Sequence, residues 1–340
     1  MVTMREVADR AGVSTKTVSR VINNDRYVSA AVLARVQQAI AEMHYVPSAL
    51  ARTFRSGKDT AIGVAVPDLG DELFAGIVRR IEQIARERRT VVLVTSLTDD
   101  PAMEQSAVEA LLNRQISGLI IAPTGVDHSY LKSWLDRVGI VFVDRPPRKL
   151  SVDSIIEDDL GGATAAVSAL LAAGHRRIGF LGPSSTVVTV QRRLSGYRAA
   201  LTAAGLPGDT ELESFYVDEA ISAVEACAAL LKLPNPPTAL FSANSATSIE
   251  VVPLLHELRR TDIALASFGN FPMASTLHPS VTVVDQRPDE VGRIAAQRLF
   301  QRLDDPMAHL KKNVKIPVSL IERESSRLPG PVSQPTRLRA

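Results

Sequence analysis

Apolar positions change their rhythm at about residue 60. Before that point they recur at helical spacing, and Leu33, Val36, Ile40 and Met43 mark one face of a helix. Thr3-Met4-Arg5-Glu6 forms a capping-box sequence, which predicts a first helix running to about Ala11 and stopping at Gly12. Ser14 is placed to cap a second helix through about Ile22, with Val18, Val21 and Ile22 facing inward, and Ser29 to cap a third. Three short helices with a glycine turn between the first two predict a helix-turn-helix.

Beyond Thr60, short β-branched runs predict strands at Ala61–Val66, Thr90–Val94, Gly118–Ile121, Ile140–Val143, Arg177–Leu181, Thr238–Phe241 and Ile263–Ala266. Helical stretches alternate with them: Phe74–Arg88, Met103–Arg114, Ala163–Ala173, Arg192–Ala204, Ile221–Leu231 and Ile249–Arg259. This alternation predicts parallel sheets covered on both faces, and its length favours two similar halves. The expected domains are a headpiece at 1–46, a linker at 47–58, a two-lobed α/β region at 59–328 and a disordered tail at 329–340. Pro329, Pro331 and Pro335 punctuate that tail.

Charge sharpens the division. Residues 1–58 carry nine Lys/Arg against four Asp/Glu, and residues 307–340 carry seven against two, so the middle of the chain is acidic although the net charge is +2. A basic head on an acidic body fits a polyanion partner. Apolar content of 45% supports a large core, and aromatics at 4% leave its packing to aliphatic side chains. No apolar run reaches membrane-spanning length, so no membrane partner is expected. The single cysteine, Cys227, sits among alanines and reads as a core residue; with no signal-peptide pattern at the N-terminus, a cytoplasmic location is expected.

The stretch Glu6–Asn23 (EVADRAGVSTKTVSRVIN) resembles the headpiece of the lactose-repressor (LacI/GalR) family. A recognition helix presents its N-terminal end to the major groove, so Thr15, Lys16 and Arg20 point at base edges or phosphates. The hydroxyls of Ser14 and Thr17 suit backbone phosphates. The resemblance adds Arg26, in the position that reaches DNA in the purine-repressor branch, to which this headpiece is nearest. His44–Arg55 resembles the family's hinge segment, which folds when two subunits pair it in the minor groove. Ala51, Phe54 and Arg55 thereby become DNA-contact candidates, with Phe54 standing where the family places a leucine wedge. His44 likewise replaces a frequent glycine.

Landmarks continue to about Arg327: Ile62-Gly63-Val64, Val66-Pro67-Asp68, Gly174-His175-Arg176-Arg177-Ile178, Arg193-Leu194-Ser195-Gly196-Tyr197 and Gln286. They imply a periplasmic-binding-protein-like fold, two doubly wound α/β lobes crossed by three chain segments, with a ligand cleft at the carboxyl ends of the strands. Carried over residue by residue, the effector site comprises Asp71, Phe74, Asp158, Arg193, Asn244, Asn270 and Gln286. Departures are numerous. Asp71-Glu72-Leu73-Phe74 replaces Asn-Pro-Phe-Phe, Glu157-Asp158 replaces Asp-Asn, and Gly269 and Ser245 stand where aspartates are frequent. Val187 replaces an arginine that recognises purines, which disfavours a purine. The remaining donors and acceptors suit a sugar or polyol, with a sugar phosphate left open. His175 reads as a turn residue.

The implied function is a transcription regulator, most naturally a repressor, acting as a homodimer on near-palindromic operator DNA under control of a small effector. No cofactor and no metal site are expected. The chain lacks G-x-S-x-G, the Walker lysine loop and G-x-G-x-x-G, and its six histidines show no metal-ligand spacing, which argues against an enzyme. A transporter's solute-binding protein would share the lobes but lack the helical head.

Overall fold

The computed structural model describes residues 2–22, 27–43, 45, 61–98, 100–216 and 221–331. Expectations for Arg26, His44, Ala51, Phe54, Arg55 and the 47–58 linker therefore lie outside the described residues, as does the tail from 332 onward. The chain divides into two compact units, Met1–Thr60 and Ala61–Ala340.

In the first unit, α1 (Met4–Ala11), α2 (Thr15–Ile22) and α3 (Ala30–Glu42) bury Val7, Ala8, Val18, Val21 and Val36 at their junction. The capping box is closed: the Thr3 amide donates to Glu6 Oε2 at 2.7 Å, and the Glu6 amide donates to Thr3 Oγ1 at 3.3 Å. Gly12 ends α1 at φ +63°, the left-handed position glycine takes without steric cost. Ser29 stands at the N-cap of α3, but its side chain makes no cap hydrogen bond, unlike the expected cap. Arg10, largely exposed, pairs with Glu42 at 2.7 Å and links α1 to α3.

The second unit opens with β1 (Ala61–Val66), α4 (Glu72–Glu87), β2 (Val91–Ser96), α5 (Pro101–Leu112), β3 (Gly118–Ile121), β4 (Gly139–Val143) and β5 (Asp153–Glu157). A second lobe contains α6 (Asp159–Ala172), β6 (Ile178–Gly182), α7 (Val188–Ala203), β7 (Glu213–Phe215), α8 (Ala223–Leu231), β8 (Ala239–Ser242), α9 (Ser245–Glu257), β9 (Ala264–Phe268) and β10 (Thr282–Asp285). The chain returns through α10 (Pro288–Asp304) to β11 (Asn313–Ile316), then crosses again to β12 (Ser319–Ile321) and α11 (Glu324–Arg327).

The sheets are ordered β11-β5-β4-β3-β1-β2 and β12-β10-β9-β8-β6-β7. All pairings are parallel except β10 with β12, which is antiparallel and departs from the purely parallel expectation. Three segments cross between lobes, at 157–159, 285–288 and 316–319. Each sheet is buried on both faces, with Ile62, Val64 and Ile120 under α4 and α10, and Leu119, Ile121 and Phe142 on the α5 side. Phe180, Phe241 and Phe268 form the core of the second lobe under α6 and α7.

Part of the expected disordered tail is docked. The Gly330 amide donates to Ala173 O at 2.8 Å, and buried His175 reaches Leu328 O through Nε2 at 2.9 Å. A carbonyl can only accept, so Nε2 carries the proton and Nδ1 accepts from the Thr238 hydroxyl at 2.9 Å. Burial lowers the His175 pKa, in keeping with a neutral ring. His175 is thus a turn residue that also staples residues after α11 to the second lobe.

Candidate functional site

At the head, the Ser14 hydroxyl accepts from the Thr17 amide at 3.2 Å and contacts Thr17 Oγ1 at 2.9 Å, which defines the start of α2. Thr15, Lys16 and Arg20 are exposed on the side of α2 opposite buried Val18 and Val21. Lys16 and Arg20, four residues apart, share a face. The helix therefore offers a hydroxyl-rich N-terminus followed by two cations.

The second candidate site lies at the carboxyl ends of the strands, between the lobes. Gly196 lets α7 approach α6 closely, because a β-carbon there would sit 2.4 Å from Leu160 O. That approach brings Arg193, one turn earlier, against the start of α6. Arg193 is 4% exposed; its Nε donates to Asp159 Oδ1 at 2.8 Å and its Nη1 to Ala243 O at 2.8 Å. The guanidinium carbon stands 3.9 Å from the Phe268 ring centroid, a cation–π contact.

Around this arginine gather more carboxylates than it can satisfy. Glu157, at the end of β5, is 1% exposed and neither carboxyl oxygen has a hydrogen-bond partner among the described residues. Burial, then the charges of Asp144 and Asp159, push its pKa well above the usual range. Asp159 is pushed up to about 6 by burial, although Arg193 opposes the shift. Asp71, which caps α4 by accepting from the Leu73 amide at 2.8 Å, is raised by burial although that bond opposes the shift, with Asp144 adding repulsion. Asp144 itself is buried and ion-pairs with Arg145 at 3.2 Å. A carboxyl kept protonated by burial becomes a hydrogen-bond donor as well as an acceptor.

The other expected effector residues distribute differently. Asp158 caps α6 through the Gly161 amide at 3.0 Å and pairs with Lys315 at 2.7 Å. Burial works against its charge, but these partners outweigh it and hold the carboxyl below its ordinary value. Asn244 caps α9, its Oδ1 accepting from the Thr247 amide at 2.8 Å. The Phe74 side chain packs in the core of the first lobe with Ile62 and Ile77. Asn270 is exposed and lines a hollow of about 270 Å³ together with Gln286, Glu72 and Leu73. Gln286 is buried and its Nε2 has no partner among the described residues. Gly269 accounts for one sequence departure: at φ +101° it favours glycine, and a β-carbon would lie 2.9 Å from Gln286 Oε1. The glutamine fills the space beside the missing side chain.

A cleft of about 310 Å³ opens between Thr124, Val126 and Arg145 of one lobe and Ser184, Val187 and Tyr216 of the other. Its size suits a small organic molecule. Buried Glu104 holds one wall in place: Oε2 accepts from the Thr124 and Gly125 amides, both at 2.7 Å, and Oε1 from the Tyr130 hydroxyl at 3.0 Å. Sequence reasoning did not single out Asp144, Glu157 and Asp159, the buried carboxyls that the structure gathers around Arg193. The available signal was an acid closing the apolar run Ile155-Ile156, a position at the carboxyl end of a strand.

Residues 3–48 match the family model of bacterial regulatory proteins, lacI family, and residues 167–326 that of a periplasmic binding protein-like domain. The chain is 32% identical over 335 residues to the ribose operon repressor of Escherichia coli (strain K12), covering 96% of this chain and 100% of that protein. The chain belongs to the lacI family. Among solved structures, this lacI-family chain matches the lac repressor dimer bound to operator and the anti-inducer ONPF, with TM-score 0.79 and 28% identity over 96% of this chain and 99% of that one. It also matches the transcriptional regulator CelR in its cellobiose complex, with TM-score 0.68 and 27% identity over 96% and 100%. These relatives are DNA-binding transcription regulators, so the lacI-family head is a DNA-binding helix-turn-helix and the chain a regulator rather than an enzyme. Among the described residues no helix is long and apolar enough to cross a membrane.

Asp159 provides a test by pH. Its folded value of about 6 lies above the ordinary 3.8, so between these values the folded state holds a proton that the unfolded chain releases. The contribution of Asp159 to stability therefore falls as pH rises from about 4 to 6. Subtracting the urea-unfolding stability of Asp159→Asn from that of the wild type should give a difference that declines over this window and flattens above it. A difference independent of pH would place Asp159 in solvent-like surroundings.

Proposed function

We propose that the protein is an effector-controlled repressor in which two copies of the head read the half-sites of a near-palindromic operator. Lys16 and Arg20 supply base or phosphate contacts, and Ser14, Thr15 and Thr17 grip backbone phosphates. Dimerisation matches the symmetry such an operator requires, and the lac repressor neighbour is itself a dimer on operator.

The effector is an unphosphorylated, hydroxyl-rich molecule, a sugar or polyol. One observation carries this reading: Arg193 is already engaged by Asp159 and the Ala243 carbonyl, while Glu157 Oε1 and Oε2 and Asp159 Oδ2 beside it have no hydrogen-bond partner among the described residues. An incoming phosphate would meet buried carboxyls beside an Arg193 already engaged and an Arg192 that stands 3.9 Å from Asp159 Oδ2, whereas hydroxyl groups can donate to those carboxyls. Gln286 Nε2 adds a donor without a partner among the described residues. The relatives agree in chemistry, one named for a ribose operon and another complexed with cellobiose.

Thermal unfolding of the full chain with a panel of sugars, polyols, nucleosides and sugar phosphates tests the assignment. A ligand at 100 times its Kd should stabilise by about 2.7 kcal/mol. The stabilising members should be neutral sugars or polyols, and their phosphate esters should be silent. Stabilisation by a sugar phosphate alone, or by a nucleoside alone, overturns the effector class.

A further inference from the structure

The first lobe is electrically polarised along its strands. Because β1 to β5 and β11 run parallel, their first residues share one edge of the sheet and their last residues share the other. Asp71, Asp144 and Glu157 crowd the finishing edge. Along the starting edge, the segments that feed the strands carry Arg86, Arg89, Arg114, Arg137 and Lys311, all exposed and with no side-chain partner among the described residues. Two of the carboxylates on this edge are already neutralised, Asp304 by Arg88 at 2.8 Å and Asp153 by Arg298 and Arg302 at 3.0 and 2.7 Å. Among the described residues Glu87, Asp136 and Asp305 remain, fewer than the unpaired cations.

Helix C-termini attract cations, which accounts for Arg86 in the last turn of α4. Arg89, Arg114, Arg137 and Lys311 lie beyond the helices, in the turns. Arg89 holds φ +54°, a conformation in which glycine or asparagine is the usual occupant after a helix. The acidic body of the chain thus carries a basic strip on one edge. That edge includes Ala61, the first residue of the second unit.

We propose that this strip is a second nucleic-acid contact: it takes backbone phosphates of the same duplex that the head reads, without reading bases. The proposal rests on the assignment of the head as the DNA-reading unit. Phosphate contacts position a protein and add counterion release, and each steepens the salt dependence of binding by about 0.9 in log–log slope.

The test is a full-length chain carrying Arg89→Gln, Arg114→Gln and Lys311→Gln, measured on an operator duplex and on a scrambled duplex of equal length across a salt series. The expected slope is shallower than wild type by about 2–3 for each subunit that contacts the duplex, about 5 for the dimer, with operator and scrambled affinities falling together so that their ratio holds. A companion chain with Lys232→Gln and Arg259→Gln, exposed cations of the other lobe, should keep the wild-type slope. An unchanged slope in the triple variant overturns the proposal, as does an equal change in the companion, which would reduce the effect to net charge. A wild-type chain that fails to distinguish the two duplexes would instead defeat the head assignment.

Discussion

Arg193→Ala is expected to cost the effector domain about 3–5 kcal/mol of stability and to abolish its thermal response to sugars. The side chain is almost fully buried and neutralises Asp159 while lying within electrostatic reach of Glu157 and Asp71. Removing it leaves like charges together in a low-dielectric site, offset only by Arg145 on Asp144 and by Arg192 at 3.9 Å from Asp159. The Ala243 carbonyl and the Phe268 ring lose a partner at the same time. Carboxyls so placed take up protons, so acidification should recover part of the loss. Arg193→Lys retains the charge but not the planar fork, and should fall between the two. Urea unfolding and calorimetry with an active sugar measure both effects. If Arg193→Ala unfolds at the wild-type midpoint and binds the sugar with wild-type affinity, the electrostatic account of the cleft is wrong.

Lys16→Ala and Arg20→Ala should each weaken operator binding by about 1–3 kcal/mol, roughly 5- to 150-fold. Both residues are exposed, and neither belongs to the buried junction of Val7, Val18, Val21 and Val36, so the head should stay folded. A base contact is lost selectively, with scrambled DNA less affected; a phosphate contact is lost equally on both. Titration of duplexes selected from a randomised pool, at fixed salt, separates the two. Wild-type affinity for selected and scrambled DNA in both variants would remove α2 from the major groove.

Local chemistry made the head readable. Thr3, Glu6, Gly12 and Ser14 act within a few residues of themselves, and the observed caps follow their spacing. Strands β1 to β4, β6, β8 and β9 were legible as apolar runs, because a strand buried on both faces needs them. β5, β7, β10, β11 and β12 fall outside the predicted strands, and they carry charged or polar residues within or at their ends. α10 also falls outside the predicted helices. Its N-cap, Arg287, has a left-handed backbone and no capping side chain, and the start signals it does carry are Pro288 and the acids Asp289 and Glu290 in the first turn.

The effector site divides along the same line. Membership of the family, the alternation of strand and helix and the candidacy of Arg193 and Gln286 were determined by the sequence alone. Which of two adjacent aspartates meets Arg193 was decided only by tertiary structure. Asp158, at the N-cap, folds back on the Gly161 amide and reaches Lys315, while Asp159, one position into the helix, turns toward α7. That choice depends on α7 packing against Leu160 through Gly196, a contact between segments more than thirty residues apart. Burial then made the difference chemical: the more solvated aspartate is held below its ordinary value beside a lysine, and the enclosed one is pushed up to about 6. No local pattern encodes this, because desolvation and charge pairing are properties of the packed neighbourhood rather than of the residues in it.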